Sequence, residues 1–299
     1  MMRVCILLST YNGEKYLEEQ LESLIKQENV EIDILVRDDG SSDNTHNILN
    51  KWQERGLLKW YTGNNKGYAK SFMDLALNSG DYDYYAFCDQ DDIWLPNKLA
   101  IAIKCISTLQ SPIKLYCSNT FYYKNGENLG LIKKVRPKYN IYTCLVQNIA
   151  TGCTIVFNKK LKDIITEKMP EYIIAHDFWV YQVAMIFGEV YYDENSYIYY
   201  RQHDNNQIGA KTAKNEIWKR RINSFFFSKK EYGISLQAKE LLNCYSGNIN
   251  LEEQRIISAI ANYKDNLWNR IKLIFDSRFV MWRTMNTVLL KLKIIFGRL

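Results

Sequence analysis

This sequence predicts an α/β fold: a mixed, mostly parallel sheet with helices on both faces, plus a C-terminal helical extension. Three observations carry that reading. Short continuous apolar runs, Arg3 to Leu8, Ile32 to Val36, Leu57 to Tyr61 and Tyr82 to Cys88, alternate with segments whose apolar residues recur at helical spacing. Each run ends in a polar loop, at 9–13, 38–45, 63–67 and 89–92, and in a parallel sheet such loops share the carboxyl edge, where ligands bind. From Lys211 onward the alternation gives way to amphipathic helices rich in Lys, Arg and aromatics, so residues 1–210 form the α/β domain and 211–299 a basic helical region.

Taken in order, the strand Arg3 to Leu8 runs into Ser9-Thr10-Tyr11-Asn12-Gly13, and a helix starts at Asn12 or Gly13 and carries Leu17, Leu21, Leu24 and Ile25. The strand Ile32 to Val36 ends in Arg37-Asp38-Asp39-Gly40-Ser41-Ser42-Asp43, before a helix with Ile48, Leu49 and Trp52. The strand Leu57 to Tyr61 leads through Gly63 to Gly67 into a helix from Tyr68 to Asn78. After the fourth strand, Pro96 opens a helix to about Leu109, and Phe121-Tyr122-Tyr123 before Asn125-Gly126 reads as a hairpin. Thr151 to Asn158 reads as a strand entered through a glycine, His176-Asp177 as the start of a helix that Gly188 breaks, and Glu189 to Tyr200 as strand pairs.

With 299 residues, 47% of them hydrophobic, the chain can bury a large core, which excludes a disordered or fibrous protein. Its seven cysteines contain no C-x-x-C pair and several sit in apolar runs, which fits a reducing cytosol. The first residues are too short an apolar run for a signal segment, and no stretch of 18 uncharged apolar residues exists, so neither leader nor membrane span is expected. The net charge of +6 divides unevenly, +10 over residues 211–299 and −4 over 1–210.

The chemistry concentrates in Asp89-Gln90-Asp91-Asp92-Ile93-Trp94. Three carboxylates within four residues at a strand end repel one another and raise one another's pKa unless a divalent cation or another positive partner sits among them. Few, hard oxygen donors suit Mg²⁺ or Mn²⁺ with a bound diphosphate. The plainer reading is a loop that caps the helix from Pro96, but capping needs one carboxylate, not three. At Asp38-Asp39 a strand-end carboxylate can accept the imide N–H of a pyrimidine base, while Ser42, Asp43 and Gly40 could equally supply a turn and a helix cap. Asp177 at a helix start is either a cap or a poised base. His203, after Arg201, reads as a metal ligand or diphosphate contact against a plain solvent-facing imidazole. G-x-x-x-x-G-K-[ST] and G-x-G-x-x-G are both absent, which disfavours a P-loop or dinucleotide enzyme.

Ser9-Thr10-Tyr11-Asn12-Gly13, Arg37-Asp38-Asp39-Gly40-Ser41-Ser42-Asp43, Asp89-Gln90-Asp91-Asp92-Ile93-Trp94 and His176-Asp177, in this order and spacing, resemble glycosyltransferase family 2, whose members have the GT-A fold. The likeness covers about residues 1–210. Cys88 to Trp94 together with Tyr200-Arg201-Gln202-His203 is similar to the bacterial branch of rhamnosyltransferases of surface-polysaccharide assembly. The resemblance implies an inverting sugar transfer from a nucleotide-sugar donor. It makes Asp91 the main metal ligand, with His203 beside it, and Asp177 the catalytic base. Asp39 would contact the base, with Thr10, Tyr11, Glu14, Gly67, Lys70, Asp89 and Gln90 on the donor side and Trp94, Gly152, His176 and Trp179 on the acceptor side. No Q-x-x-R-W motif of the processive members occurs, so one sugar is expected per encounter.

The rival enzyme class is a metal-dependent phosphatase or nucleotidyltransferase that uses the Asp89 cluster; a dehalogenase-type phosphatase would place D-x-D-x-T after the first strand, which this chain lacks. A non-catalytic membrane-associated scaffold is the other. The donor is expected to be dTDP-L-rhamnose ahead of a UDP-sugar, and the acceptor a lipid-linked saccharide; no nucleic-acid partner is expected. Trp282, Val288, Leu289, Leu292, Ile295 and Phe296 interspersed with Arg283, Lys291, Lys293 and Arg298 suit a helix lying on an anionic, cytoplasmic membrane face. The alternative is a helical cap or a homodimer interface.

Overall fold

The computed structural model describes residues 1–202, 233–265, 267–281 and 284–299. The chain divides into two compact units, Met1–Arg201 and Gln202–Leu299. The boundary read at residue 210 falls outside the described residues, as do His203, Trp282 and Arg283.

The first unit opens with β1 (Arg3–Thr10), α1 (Leu17–Leu24), β2 (Glu31–Asp38), α2 (Thr45–Glu54), β3 (Lys59–Thr62), α3 (Tyr68–Asn78) and β4 (Tyr84–Asp89). It continues through β5 (Ile93–Trp94), α4 (Lys98–Ser107), β6 (Lys114–Ser118), β7 (Phe121–Lys124), β8 (Glu127–Leu131) and α5 (Ile141–Cys144). Then come β9 (Val156–Asn158), α6 (Lys159–Glu167), α7 (His176–Phe187), β10 (Glu189–Asp193) and β11 (Ile198–Arg201). A seven-stranded sheet has the order β10-β6-β9-β4-β1-β2-β3, and a four-stranded one the order β5-β11-β7-β8.

In the large sheet β1, β2, β3 and β4 are parallel, and Val4 to Leu8 at its centre are buried on both sides, as a continuous apolar run requires. The register fixes the functional edge. Ser9 lies opposite Asp89, and Thr10 opposite Asp38, which in turn faces Thr62, so four strands release their loops at one level. The small sheet pairs β5 antiparallel with β11, setting Arg201 beside the loop that ends β4. The hairpin read at Asn125-Gly126 is present, with positive φ of 52° and 85° at its two turn residues.

Three expectations change. The helix after β1 begins at Leu17 rather than Asn12 or Gly13, because the Gly13 carbonyl first closes a turn with the N–H groups of Tyr16 and Leu17, at 3.1 and 3.0 Å. Thr151 to Asn158 is not one strand: Gly152–Thr154 form a 3₁₀ turn and only Val156–Asn158 extend, antiparallel to both β4 and β6. Glu189 to Tyr200 does not pair with itself, since β10 joins the large sheet and β11 the small one.

The second unit contains the helices Gly233–Tyr245, Leu251–Ala261, Leu267–Phe275 and Thr284–Ile295. Trp268, Phe275, Val288, Ile295 and Phe296 are exposed. The Lys291 ammonium donates to the carbonyls of Leu273 and Asp276, at 2.7 and 2.9 Å, so it ties a helix end rather than projecting from the surface. Among the described residues no helix is long and apolar enough to cross a membrane.

Candidate active site

The loops after β1 and β2 are knitted into one surface. Asn12 N–H donates to Ser41 Oγ at 2.8 Å, Ser42 N–H to Asn12 Oδ1 at 2.9 Å, and Asn44 N–H to Glu14 Oε2 at 2.9 Å, so Glu14 holds a backbone instead of facing a donor. The side chain of Gln90 bridges β4 to β1: its Oε1 accepts from Thr10 Oγ1 at 2.6 Å and from Tyr11 N–H at 2.9 Å. Gly13 passes so close that a Cβ there would meet Gln90 Oε1 at 2.5 Å and Thr10 Oγ1 at 2.6 Å, so a larger residue would displace this bridge. Tyr11 and Lys70 remain exposed at the same edge.

Asp39 departs from the expectation of a carboxylate presented to a base. It is 3% exposed, accepts the N–H groups of Lys66 and Gly67 at 2.9 Å each, and pairs with the buried Arg37. Arg37 also donates to Ser71 Oγ at 3.0 Å and to the Asn64 carbonyl at 3.1 Å, so one buried guanidinium and one carboxylate fold the loop 63–67 over the strand ends. The sequence signal was present: Arg37 is a charge directly after the apolar run of β2.

Asp89, Gln90 and Asp91 are half-buried, whereas Asp92 is fully buried. One ligand atom each from Asp89, Asp92 and Cys153 lie within 4.8 Å of one another. Two carboxylates at such a separation repel by about 3 kcal/mol at an effective dielectric near 20. A thiol hydrogen bond returns about 1 kcal/mol, and Cys153 has one hydrogen for both. Burial, and the charges of Asp91 and Asp177, accordingly push the Asp89 carboxyl up to about 7. Carboxylate oxygens so crowded and so short of positive charge suit a hard divalent cation. Arg201 braces the loop from outside, donating from Nε to the Asp91 carbonyl at 2.8 Å and from its backbone N–H to Asp92 Oδ1 at 3.1 Å.

Asp177, in the first turn of α7, remains half-exposed. Burial pushes its carboxyl up to about 6, although the N–H of Phe178 at 2.7 Å, the Asn148 side chain and the Gly152 N–H all favour the anion. Asn148 and Lys133 were not singled out from sequence. The Lys133 ammonium donates to the Ile149 carbonyl at 2.7 Å, so it steadies the loop that presents Asn148 and Gly152 to Asp177.

Three side chains expected on the acceptor side are inside the protein. His176 is 4% exposed, stacked on Phe72 at 3.9 Å between centroids and edge-on to Phe87 at 4.8 Å, and both its nitrogens lack hydrogen-bond partners. It pins the start of α7 to α3 and β4, which places Asp177 by Asp89. Gly152 fits beneath it because a Cβ would meet His176 Nε2 at 2.7 Å. Trp179 faces inward along α7, and Trp94 lies in the core because the pleat of β5 turns its ring inward, while its backbone N–H donates to Ser23 Oγ of α1 at 3.1 Å.

A parallel sheet whose carboxyl edge gathers Asp89, Asp91 and Asp177 under loops tied by Arg37 and Gln90 is the framework of a nucleotide-sugar transferase of the GT-A type. Solved structures share it. S. aureus TarS in complex with UDP-GlcNAc aligns with a TM-score of 0.59 at 17% identity, covering 98% of this chain and 82% of that one. A Pyrobaculum calidifontis mannosyltransferase in complex with GDP-Man and Mn²⁺ aligns at 0.52 and 15% identity, covering 97% of this chain and 87% of that one. Residues 5–164 match the family described as Glycosyl transferase family 2. A dTDP-rhamnosyl transferase of Shigella flexneri, RfbG, is 34% identical over 226 residues, spanning 71% of this chain and 77% of the relative. The Escherichia coli enzyme WfgD, a UDP-Glc:alpha-D-GlcNAc-diphosphoundecaprenol beta-1,3-glucosyltransferase, is 31% identical over 159 residues, 53% of this chain and 61% of its own length. The chain belongs to glycosyl transferase family 2.

His176 gives a stability test. Burial pushes its imidazole down to about 3, so as pH falls below about 6.5 the unfolded chain binds a proton that the folded chain refuses, and this residue's contribution is lost at about 1.4 kcal/mol per pH unit. Asp89 and Asp177, with raised pKa values, act in the opposite sense over the same range, so the difference between wild type and His176→Phe isolates the histidine. Denaturant titrations should show the variant gaining about 2 kcal/mol on wild type between pH 7 and pH 5. A difference that does not change with pH would contradict this placement of the ring.

Proposed function

We propose that this enzyme transfers a hexose, L-rhamnose from a dTDP donor first and a UDP-sugar second, to a lipid-linked saccharide acceptor of bacterial surface-polysaccharide synthesis, with inversion at the anomeric carbon. The observation that carries the reading is the convergence of three carboxylates of different roles on one sheet edge. The dTDP-rhamnosyl transferase likeness favours the donor, and the diphosphoundecaprenol-acting relative favours the acceptor.

Asp91, with Asp89, would hold Mg²⁺ or Mn²⁺, which when bound neutralises the charge developing on the diphosphate leaving group. The charge deficit around Asp89 supports such an ion, and so does the Pyrobaculum calidifontis mannosyltransferase, whose complex holds GDP-Man and Mn²⁺. Asp177 acts as general base: partly exposed and held by Asn148 and backbone N–H groups, it takes the acceptor hydroxyl proton as that oxygen attacks. Tyr11 and Lys70 lie where the donor enters. Asp39 acts on the nucleobase through the loop 63–67 that it and Arg37 fold into place. His203 completes the diphosphate side in this proposal.

The second unit docks on an anionic, cytoplasmic membrane face through Trp268, Phe275, Val288, Ile295 and Phe296, the residues it exposes, with Lys272 and Lys293 supplying charge.

Three outcomes are expected. Excess EDTA or Asp91→Ala should nearly abolish nucleotide release from dTDP-L-rhamnose, and full activity in EDTA would contradict the metal assignment. Asp177→Asn should keep donor binding and lose about 10²- to 10⁴-fold in transfer rate, and in wild type the rate should fall tenfold per unit below about pH 6 as the base becomes protonated. Transfer within a few fold of wild type, or no acid limb, would remove Asp177 from that role. In liposome co-sedimentation, binding should require anionic lipid and weaken with salt, and Trp268→Ala with Phe275→Ala should reduce it. Binding indifferent to lipid charge, or a dimer that occludes these residues, would overturn the docking.

A further inference from the structure

We propose that Asp74 is a positioning residue for the donor's nucleotide: it shares the buried Arg37 guanidinium with Asp39, holds the Lys66 ammonium, and so sets the shape of the loop 63–67 that borders the nucleotide. The inference rests on the reading of this sheet edge as the nucleotide-sugar site, and it adds a residue that no motif in the sequence marks.

A buried guanidinium needs acceptors for its N–H groups and an opposite charge beside it. Arg37 is 1% exposed, and its two terminal nitrogens donate to Asp39, Ser71 Oγ and the Asn64 carbonyl. Its third nitrogen, Nε, lies 3.4 Å from Asp74 Oδ1. Ser71 and Asp74 stand about one turn apart on α3, so a single face of that helix meets the guanidinium. Gly63 leaves room for the approach, since a Cβ there would meet Arg37 Nη2 at 2.8 Å. Asp74 Oδ1 also accepts from the Tyr61 hydroxyl of β3 at 2.9 Å and from the Asn78 side chain at 3.0 Å. Its Oδ2 accepts from the Lys66 ammonium at 2.7 Å.

Lys66 is therefore tied at both ends, its backbone N–H to Asp39 at 2.9 Å and its ammonium to Asp74. Because both carboxylates hold the same guanidinium, the ties close into a ring of Arg37, Asp39, Lys66 and Asp74, two cations against two anions. Burial opposes the Asp74 anion, but hydrogen bonds from Lys66 and Tyr61 and the charges of Lys66 and Arg37 hold its carboxyl below the ordinary value, so the ring stays charged at neutral pH. Residues 63–67 are neither helix nor strand, and side chains set their path. Asp39 fixes the backbone from beneath, and Asp74 fixes the Lys66 side chain from outside. A loop already held in its bound shape need not be ordered when ligand arrives, which tightens binding. Asp74 acts through the loop and touches no substrate. The competing arrangement has the Lys66 ammonium grip the donor's diphosphate directly, with Asp74 only its resting partner.

Calorimetric titration of the full chain with dTDP and with UDP in the presence of Mn²⁺, together with the kinetics of nucleotide release from dTDP-L-rhamnose, separates these. Asp74→Asn keeps the shape of the side chain and removes its charge. It should weaken nucleotide binding and raise the donor KM by about 3- to 10-fold, with kcat within about twofold of wild type. Lys66→Met should do the same, and the double variant should bind no worse than the weaker single, because both cut one tie. If Lys66 grips the diphosphate, Lys66→Met weakens binding while Asp74→Asn releases the ammonium and leaves binding equal or tighter, and the proposal fails. It fails too if Asp74→Asn lowers kcat at unchanged KM, the mark of a smaller folded fraction. Should Asp74→Asn not fold, Tyr61→Phe loosens Asp74 from β3 and should raise KM by about twofold or more; an unchanged KM there would overturn the role. The binding arm decides even where the donor carries another sugar. Absence of any dTDP or UDP binding by wild type would overturn the nucleotide reading of this edge and the Asp74 role built on it.

Discussion

Like-charge repulsion at the ends of parallel strands is the constraint on which this structure turns. The sheet must release its loops at one edge, and the sequence loads that edge with carboxylates. Each is then managed by a different device. Asp39 is folded under a loop by Arg37, Asp92 is buried with one oxygen on the Arg201 N–H, and Asp177 is held at a helix start by Asn148 and backbone donors. Asp89 and Asp91 are left half-exposed, with Asp89 pushed toward protonation. In the proposed function, that residual imbalance is where a cation and a diphosphate would find their place.

The same constraint explains why so much of the surrounding structure is rigid. Asp177, its carboxyl raised to about 6, can serve as the proposed base only if it stays near Asp89 and Asp91. His176 serves that end from within: neutral, without hydrogen bonds, stacked on Phe72, it trades polar satisfaction for a fixed position of α7 against β4. Gly152 is the complementary concession, since any side chain there would displace the ring.

Much of this was legible in the sequence, and the misses have physical reasons. Continuous apolar runs and polar loops gave the parallel sheet and its edge, because strands buried on both faces can be built in few other ways. The carboxylates at 89–92 announced a charge problem without any structure. What one-dimensional pattern could not show was orientation. Trp94 follows the carboxylate loop and reads as an acceptor-side residue, yet a two-residue strand turns it into the core; His176 adjoins Asp177 and reads the same way, yet packing buries it. Asn148 and Lys133 support Asp177 from a segment with no periodic or motif signal, so only the fold brings them to it.

The central claim is a single displacement at this edge: one base, one cation and no covalent glycosyl-enzyme. The most direct test is the anomeric configuration of the product, read by NMR coupling constants after transfer from a nucleotide-sugar of known anomer. The account predicts a glycosidic bond of opposite configuration to the donor. Retention would require a second displacement and a nucleophile, and would contradict the assignment of Asp177 as a base.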